Sequence, residues 1–445
     1  MNSLLTGRVV APHRWRMQIP DAFWRVTAPD AAPANRLEAG IEVDVAVVGA
    51  GFTGLRTALH LAEAGVSVAV FEAGDVGFGA SGRNGGQVNP MLPVALPDDL
   101  HKAVGAKYFE RISQTALRSA DDLFDFIRAY QIPCEARQKG WIRVDHCAPA
   151  RDVARRNTRL WNDHGADFEF LEREDVQRLT GAHGYATGTL SARGGAVQPM
   201  ALVRGLDRAA RSAGAQVFSF SPVSGMARRD GRWRLNVNGH EVSAEKVVVA
   251  TNGYSDGLVA RLKGSVLPLM SSQMATDVLP EDQIGPILPE GHTISDTRRL
   301  IMYARREPGG QMLFGGIGFR RPLGGMGGFG WIKKDAPETF PSLKGAVWKH
   351  FWGGHIALTE DRVPHLHEPE PGVIAGLGYN GRGVAMSHVM GQVLARRVLG
   401  TDAAELPFPI TRIPTYRFRL PQVLGAGIAM AFLRMRDQAE WRRDA

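Results

Sequence analysis

From the N-terminus onward, the pattern of apolar and polar positions first becomes regular at Val43-Asp44-Val45-Ala46-Val47-Val48. A near-continuous β-branched run that ends in glycine predicts a strand buried on both faces. Leu55, Ala58, Leu59 and Ala62 then recur at helical spacing until Gly65 stops the helix. Val66 to Phe71 is a second buried strand with Glu72 at its tip, which completes a βαβ unit. Helices are predicted over Ala106 to Tyr130 and Ala150 to His164. Met200 to Ala213 is amphipathic, with Leu202, Leu206, Ala209 and Ala210 on one face. Strands are expected at Gln216 to Phe220, Arg232 to Val237 and Lys246 to Ala250, the middle one entered through the hairpin signal Asp230-Gly231. Val266 to Val278, Leu300 to Arg306 and Met312 to Gly316, the last reached through Gly309-Gly310, suggest a separate antiparallel sheet. A strand at Val373 to Leu377 and a helix at Ala385 to Leu399 follow. The first forty residues are Pro- and Ala-rich without periodicity, and read as an extended arm that Phe23 and Trp24 pin to the body.

At 445 residues the chain exceeds one ordinary core, so two domains are expected, interleaved or sequential. With 44% hydrophobic and 22% charged residues it has the composition of an ordinary globular protein. Cys134 and Cys147 are its only cysteines, too few for a disulfide framework or a Cys-rich metal site, which fits a reducing, cytoplasmic setting. The net charge is +8, yet the arginines are dispersed and no run of five or six cations occurs. A solvated basic surface, with no nucleic-acid partner, is the reading this supports. No apolar stretch is long enough for a membrane span, and Arg8, Arg14 and Arg16 are followed by no apolar segment of a secretory signal. Val423 to Leu433, flanked by Arg419 and Arg434, reads as a packed helix; peripheral membrane contact is the less favoured alternative.

Gly49-Ala50-Gly51-Phe52-Thr53-Gly54 matches GxGxxG between the first strand and its helix. In such a turn the glycines allow a tight bend, close backbone approach to a pyrophosphate and close packing of helix on strand. The helix N-terminus adds free N–H groups and a positive dipole end. Glu72, followed by Ala73, stands where a carboxylate accepts hydrogen bonds from ribose hydroxyls. A second loop, Gly79-Ala80-Ser81-Gly82-Arg83-Asn84-Gly85-Gly86-Gln87, holds four glycines in nine residues and is shaped for backbone proximity. Its place just beyond the dinucleotide unit suits FAD, whose flavin extends further into a protein, better than NAD. A third, Gly376-Leu377-Gly378-Tyr379-Asn380-Gly381-Arg382-Gly383-Val384, again joins a strand to a helix, and that helix N-terminus would stabilise negative charge developing at the flavin N1–C2=O edge.

In these motifs the sequence resembles the D-amino-acid-oxidase-type FAD-dependent oxidoreductases, most closely their γ-glutamylputrescine-oxidase-like branch. The features that carry the resemblance are Phe23-Trp24, the loop Gly79 to Gln87, Ala250-Thr251-Asn252-Gly253-Tyr254, the segment Trp352 to Pro364, and Gly378 to Gly383. It implies an α/β (α+β mixed) fold, with a Rossmann-type FAD-binding domain interleaved with an antiparallel or mixed-sheet substrate domain. Residues 41–95, 170–262 and 345–405 would form the first; residues 96–169 and 263–344 would form the second together with helical segments. Residues 1–40 would be an arm and 406–445 a C-terminal segment. It further implies that Val223 meets adenine, that Thr251 and Gly253 line the cofactor channel, and that Gly378, Asn380, Gly381, Gly383 and Val384 meet the flavin. The implied reaction is oxidation of a C–N bond of a small-molecule amine or amino acid by hydride transfer to flavin N5, the imine then being hydrolysed. Sarcosine-oxidase-type members carry a flavin-linking cysteine near the third motif; this chain has none there, so non-covalent FAD is expected. Some members activate oxygen with a lysine, and none occurs here between Lys263 and Lys333. Oxygen, a quinone or another electron carrier are the candidate acceptors, and a nucleotide-sensing or tRNA-associated flavoprotein is the alternative of another class.

Tyr303 and Arg305 fall on one face of a predicted strand, and the resemblance implies that Arg305 pairs with a substrate carboxylate, with Arg306 in its place if the register slips. His355, after a predicted Trp352-Gly353-Gly354 turn, is the candidate base that deprotonates the substrate ammonium. Gln87 is a candidate hydrogen-bond partner of flavin or substrate. No metal site is expected: His365 and His367 lack a third histidine ligand and read as part of a solvated loop.

Overall fold

In the computed structural model, which describes residues 22–93, 96–320, 326–416 and 419–444, the first buried run forms the strand Ile41–Val48. Its neighbours His240–Val249 and Val68–Phe71 run parallel to it. Gln216–Phe218 and Val373–Leu377 extend the parallel sheet outward, and His365–Glu370 closes one edge antiparallel. The Asp230-Gly231 signal is realised as the hairpin between Val223–Arg229 and Arg232–Val237, with both turn residues at positive φ. Strands paired in parallel must be covered on both faces. The helices Phe52–Glu63, Pro199–Ser212 and Gly383–Val398 cover one face through Leu55, Leu59, Leu206 and Val389. Trp233, Leu235, Val259 and Leu262 pack against the other.

A second, eight-stranded sheet has the order Trp348–Leu358, Leu267–Thr276, Met312–Ile317, Met302–Arg306, Thr293–Asp296, Trp141–Asp145, Thr187–Ser191, Phe168–Leu171. It is mixed, because Thr293–Asp296 and Trp141–Asp145 pair in parallel within an otherwise antiparallel array. One face buries Ile142, Ile294, Ala304 and Phe314. On the opposite face the register aligns Arg143, Ser295, Tyr303, Gly315 and Gln273 as neighbours across five strands.

Several expectations need correction. Thr187–Ser191, Trp348–Leu358 and the second half of Phe168–Leu171 fall within segments assigned to the FAD-binding domain, yet they pair in the second sheet. The helix Ala106–Ala129 was grouped with the substrate domain but packs into the core of the first sheet through Ala116, Leu117 and Phe124. Alternation identifies a strand or helix but not its distant partner. Trp352-Gly353-Gly354 is not a turn but mid-strand. His365 and His367 lie buried on an edge strand, not in a solvated loop. His365 Nε2 meets Asp361 at 2.9 Å, and burial holds His367 down at about 4. The described part of the arm is not wholly extended: Phe23–Thr27 is a short helix, with Trp24 fully buried and its Nε1 donating to Asn84 O at 2.7 Å.

Residues 1–21 lie outside the described residues. The Val423–Leu433 run falls within the helix Arg419–Asp444, and the packing of its side chains before Met430 lies outside them too. The end of that helix docks on the second sheet's domain, where Arg299 pairs with Asp437 and Trp441 Nε1 donates to Gly184 O at 2.6 Å. Among the described residues no helix is long and apolar enough to cross a membrane.

A Cβ at Gly54 would fall 1.9 Å from the Gly49 carbonyl oxygen. Gly54→Ala should therefore push the helix off the strand, costing ~1–3 kcal/mol and lowering Tm by roughly 1–3 °C. Gly330→Ala, where a Cβ meets nothing within 4 Å, should leave Tm within about 1 °C. Thermal denaturation of the two variants checks the contrast.

Candidate functional site

A cavity of about 810 Å³ runs along the seam between the sheets. One end is lined by Gly49, Gly51, Phe52, Thr53, Glu72 and Ala73, with Val223 and Met226 beyond them; the other is lined by Tyr303, His355, Gly381, Arg382, Gly383 and Val384. Gly79, Ala80, Ser81, Arg83, Asn84, Gly85, Gln87, Thr251 and Asn380 complete the predicted residues on its wall.

At the Gly49 end the chain reverses with Gly49 at φ +106°, and the helix Phe52–Glu63 starts with N–H groups that have no intrahelical acceptors. Ser81 Oγ accepts from Phe52 N at 2.9 Å, tying the second loop to this turn. Each Glu72 oxygen accepts one backbone N–H, from Ala50 at 2.9 Å and Gly74 at 3.0 Å. Burial pushes Glu72 above the ordinary carboxylate range, while the Gly74, Ala50 and Ala73 amides pull it back down. Thr53 Oγ1 and the Tyr379 hydroxyl, 2.7 Å apart, bind the first motif to the third. Arg83 stacks over Phe78 and donates from Nε to Phe78 O at 2.7 Å, leaving Nη2 buried without a protein acceptor on the cavity wall. Smooth backbone at one end, an acceptor carboxylate beside it and an orphaned buried guanidinium N–H between the motifs all fit an extended dinucleotide.

Gly54, Gly86, Gly253 and Gly378 stand behind the wall and shape it. Gly86 packs beneath Arg305, where a Cβ would fall 2.3 Å from Nη1, and Gly85 packs against the Tyr303 ring. Gly253 lies under His355, with a Cβ 3.3 Å from its carbonyl oxygen. Gly378, at φ +84°, donates to Asn252 Oδ1 at 2.9 Å. The side chain of Asn380 turns away from the cavity toward Thr359, whose N–H donates to Oδ1 at 2.8 Å, so this residue fixes the turn.

Arg305 is corrected outright. Its Nη1 donates to Gly86 O at 2.8 Å and Val197 O at 2.7 Å, Nη2 donates to Glu307 Oε2 at 3.0 Å, and Nε lies in ion-pair contact with Glu307 Oε1 at 2.5 Å. Tyr303 and Arg305 do share a strand face, but at Arg305 the Gly85-Gly86 segment and Trp24 cover it. Arg306 is likewise turned toward Glu281 and Ile284 O. Gln87 reaches the wall but gives both amide N–H groups to Ile294 O and Ala304 O, at 3.0 and 3.1 Å, and thus links the loop to the second sheet.

Ser271, Gln273, Tyr254 and Arg382 on this wall carry no assignment from the sequence. Ser271 and Gln273 had a signal, being polar residues inside a buried strand. Ser271 Oγ lies 2.9 Å from the Tyr303 hydroxyl. Burial pushes Tyr303 up to about 12, with Ser271 and Gln273 opposing, so the phenol stays protonated at neutral pH. The His355 ring packs edge-on against Tyr254 at 5.5 Å. Outside this wall, His146, Cys147 and Glu440 form a trio of metal-ligand type, but Arg299 already engages Glu440 at 2.6 Å.

The family described as "DAO: FAD dependent oxidoreductase" matches residues 44–397. The chain is 28% identical to the probable oxidoreductase OrdL of Rhizobium meliloti, over 95% of this chain and 99% of that one. To the γ-glutamylputrescine oxidoreductase of Escherichia coli it is 29% identical, over 94% and 98%. Among solved structures, glycine oxidase from Geobacillus kaustophilus superimposes with a TM-score of 0.70 at 22% identity, covering 83% of this chain and 99% of that one, which establishes the shared fold.

Glu72→Gln should raise the Kd for FAD about 10- to 100-fold, the value of a hydrogen bond to an ionised acceptor. Wild-type affinity should also weaken as pH falls through the raised Glu72 pKa, because protonation removes the acceptor charge, while the variant stays flat. Flavin fluorescence titration of apoprotein at several pH values reads both effects. With its three glycine-rich turns on one cavity and the family match spanning most of its length, the chain belongs to the DAO family of FAD-dependent oxidoreductases and is an enzyme that uses FAD.

Proposed function

We propose that this enzyme oxidises a C–N bond of an amine or amino acid to an imine that water then hydrolyses. The observation that carries the reading is the composition of the wall opposite the Gly49 turn. It presents one imidazole, His355, beside hydroxyl and amide donors from Tyr303, Ser271 and Gln273. Bound, non-covalent FAD supplies the hydride acceptor. An ammonium holds its α-hydrogens tightly, so the substrate must first lose a proton. His355 is the wall's group whose ordinary pKa suits that transfer near neutrality. Tyr303, held protonated, donates a hydrogen bond and does not compete for the proton. The names of the relatives, γ-glutamylputrescine oxidoreductase and glycine oxidase, support an amine or amino-acid substrate.

Oxygen, a quinone or a carrier protein are the candidate electron acceptors, and the cations among the described residues that line the cavity are arginines, Arg83 and Arg382 among them.

Anaerobic mixing of the FAD-loaded enzyme with a panel of amines and amino acids should bleach the flavin for one chemical series; a flavin that no member reduces would refute the reading. His355→Gln should lower the rate of flavin reduction about 10²-fold or more, which stopped-flow absorbance would resolve. Comparing peroxide release under oxygen alone with turnover on an artificial quinone separates the acceptors: fast peroxide release assigns an oxidase, and slow release with fast quinone turnover assigns a dehydrogenase.

A further inference from the structure

Outside the cavity wall, three side chains of metal-ligand type meet where the C-terminal helix docks on the second sheet's domain. His146 and Cys147 join the strand Trp141–Asp145 to the helix Ala148–Asn162, whereas Glu440 comes from the helix Arg419–Asp444. His146 and Cys147 are buried, and the Glu440 side chain is 22% exposed. His146 Nε2 lies 3.4 Å from Cys147 Sγ and 3.3 Å from Glu440 Oε2, and the three ligand atoms fall within 4.8 Å of one another. Around a tetrahedral zinc ion, with bonds of about 2.0 Å to nitrogen and oxygen and about 2.3 Å to sulfur, neighbouring ligand atoms stand roughly 3.3–3.5 Å apart. Two of the three edges already have that length. The third, at most 4.8 Å, closes by a shift of Glu440, the most exposed of the three.

The hydrogen bonds around His146 aim a bare nitrogen at this point. Thr297 Oγ1 accepts from His146 N at 3.1 Å and lies 2.8 Å from Nδ1, while its own proton goes to Val144 O at 3.4 Å. With the hydroxyl proton so used, Nδ1 is the donor of that pair, and the neutral imidazole carries its lone pair on Nε2. That lone pair faces a sulfur and a carboxylate oxygen, which a cation between them makes favourable. A proton is the smallest such cation and leaves Cys147 a spectator; a divalent ion engages all three groups. Cys147 is also the N-cap residue of the Ala148–Asn162 helix, where the positive dipole end favours a thiolate. Arg299 does not close the site. It donates one N–H to each Glu440 oxygen, at 2.6 and 3.1 Å, and pairs with Asp437 at 2.7 Å. A carboxylate has about four lone-pair sites, so each Glu440 oxygen keeps one. Arg436 reaches Oε1 only at 3.8 Å, from an exposed position. Arg299 and Asp437 cancel in charge, which leaves a thiolate and Glu440 to balance a doubly charged ion.

We propose that His146, Cys147 and Glu440 bind one divalent cation of the zinc type through Nε2, Sγ and Oε2, with a water molecule in the fourth position on the exposed Glu440 side. A thiolate beside an imidazole selects zinc over magnesium or calcium. Binding releases the thiol proton to solvent and transfers no electron. Thr297 and Arg299 are the outer partners that orient two of the ligands. The ion staples the C-terminal helix to the second sheet's domain, beside the contact of Trp441 Nε1 with Gly184 O. The site departs from the sequence-based expectation of no metal, because 294 residues separate His146 from Glu440. It stands independently of the amine-oxidation reading.

The test adds Zn²⁺ in steps to FAD-loaded enzyme that has been passed over a chelating resin, with a fluorescent zinc indicator reading the free ion. Wild type should bind one equivalent. Thr297→Val, which removes the orienting hydroxyl, should weaken that binding about 10-fold, and Cys147→Ser and Glu440→Gln, which each remove a ligand, ~100-fold or more. Co²⁺ in place of zinc should add a thiolate-to-metal charge-transfer band to the difference spectrum of wild type and none to that of Cys147→Ser. Zinc at ~100 times its wild-type Kd should raise the wild-type Tm by about 3 °C and leave that of Glu440→Gln almost unmoved. Glu440→Gln carries the test if Cys147→Ser does not fold. No zinc uptake by wild type would overturn the proposal, since a proton then suffices between His146 and Glu440. So would one equivalent held with wild-type affinity by both ligand variants, which places the ion elsewhere, or a cobalt spectrum without the charge-transfer band.

Discussion

The structure depends on one close approach of backbone to backbone. At Gly54 the first helix lies so near the first strand that a single methyl group would overlap the Gly49 carbonyl. That contact sets the helix axis, and the axis aims the unsatisfied first-turn N–H groups at the end of the cavity. An anion held there needs no cationic side chain, because the amides and the helix dipole provide the potential. The same economy of side-chain volume recurs where helix Gly383–Val398 crosses the first helix: Gly391 sits against the Arg56 stem, and Gly391 O accepts from Thr57 Oγ1 at 3.1 Å.

Around this fixed point the two sheets are held by a few polar ties. Thr53 and Tyr379 join two of the motifs across the cofactor channel, Gln87 joins the second loop to strands of the other sheet, and Arg305 braces that loop from behind. Trp24 reaches the loop from the N-terminal side through its hydrogen bond to Asn84. The cavity therefore has a rigid cofactor wall assembled from segments far apart in sequence. Tyr303, Ser271, Gln273 and His355 line it from the second sheet.

The parts legible in the sequence were those with local causes. The strand, turn and acidic tip from Val43 to Glu72 could be read because each depends on its immediate neighbours. The Asp230-Gly231 hairpin and the amphipathic Pro199–Ser212 helix were legible for the same reason. What depended on distant pairing was not. Alternation placed Tyr303 and Arg305 on one face, but not the Gly85-Gly86 segment that covers Arg305. Nothing around Gly353 told a turn from the middle of a long strand. Arg382 stood inside a recognised motif without a role, since the ring it packs over, Trp141, comes from the other sheet.

We propose that one extended dinucleotide spans the seam, its phosphates on the amides beside Gly51 and its ring against the Tyr303 wall. Electron density from FAD-loaded crystals tests this most directly. Pyrophosphate oxygens are expected within hydrogen-bond reach, about 2.7–3.2 Å, of first-turn amides of the Phe52–Glu63 helix, with the tricyclic ring at the Gly381 end. Density with the adenosine at Gly381, or with the ring outside the cavity, would contradict it.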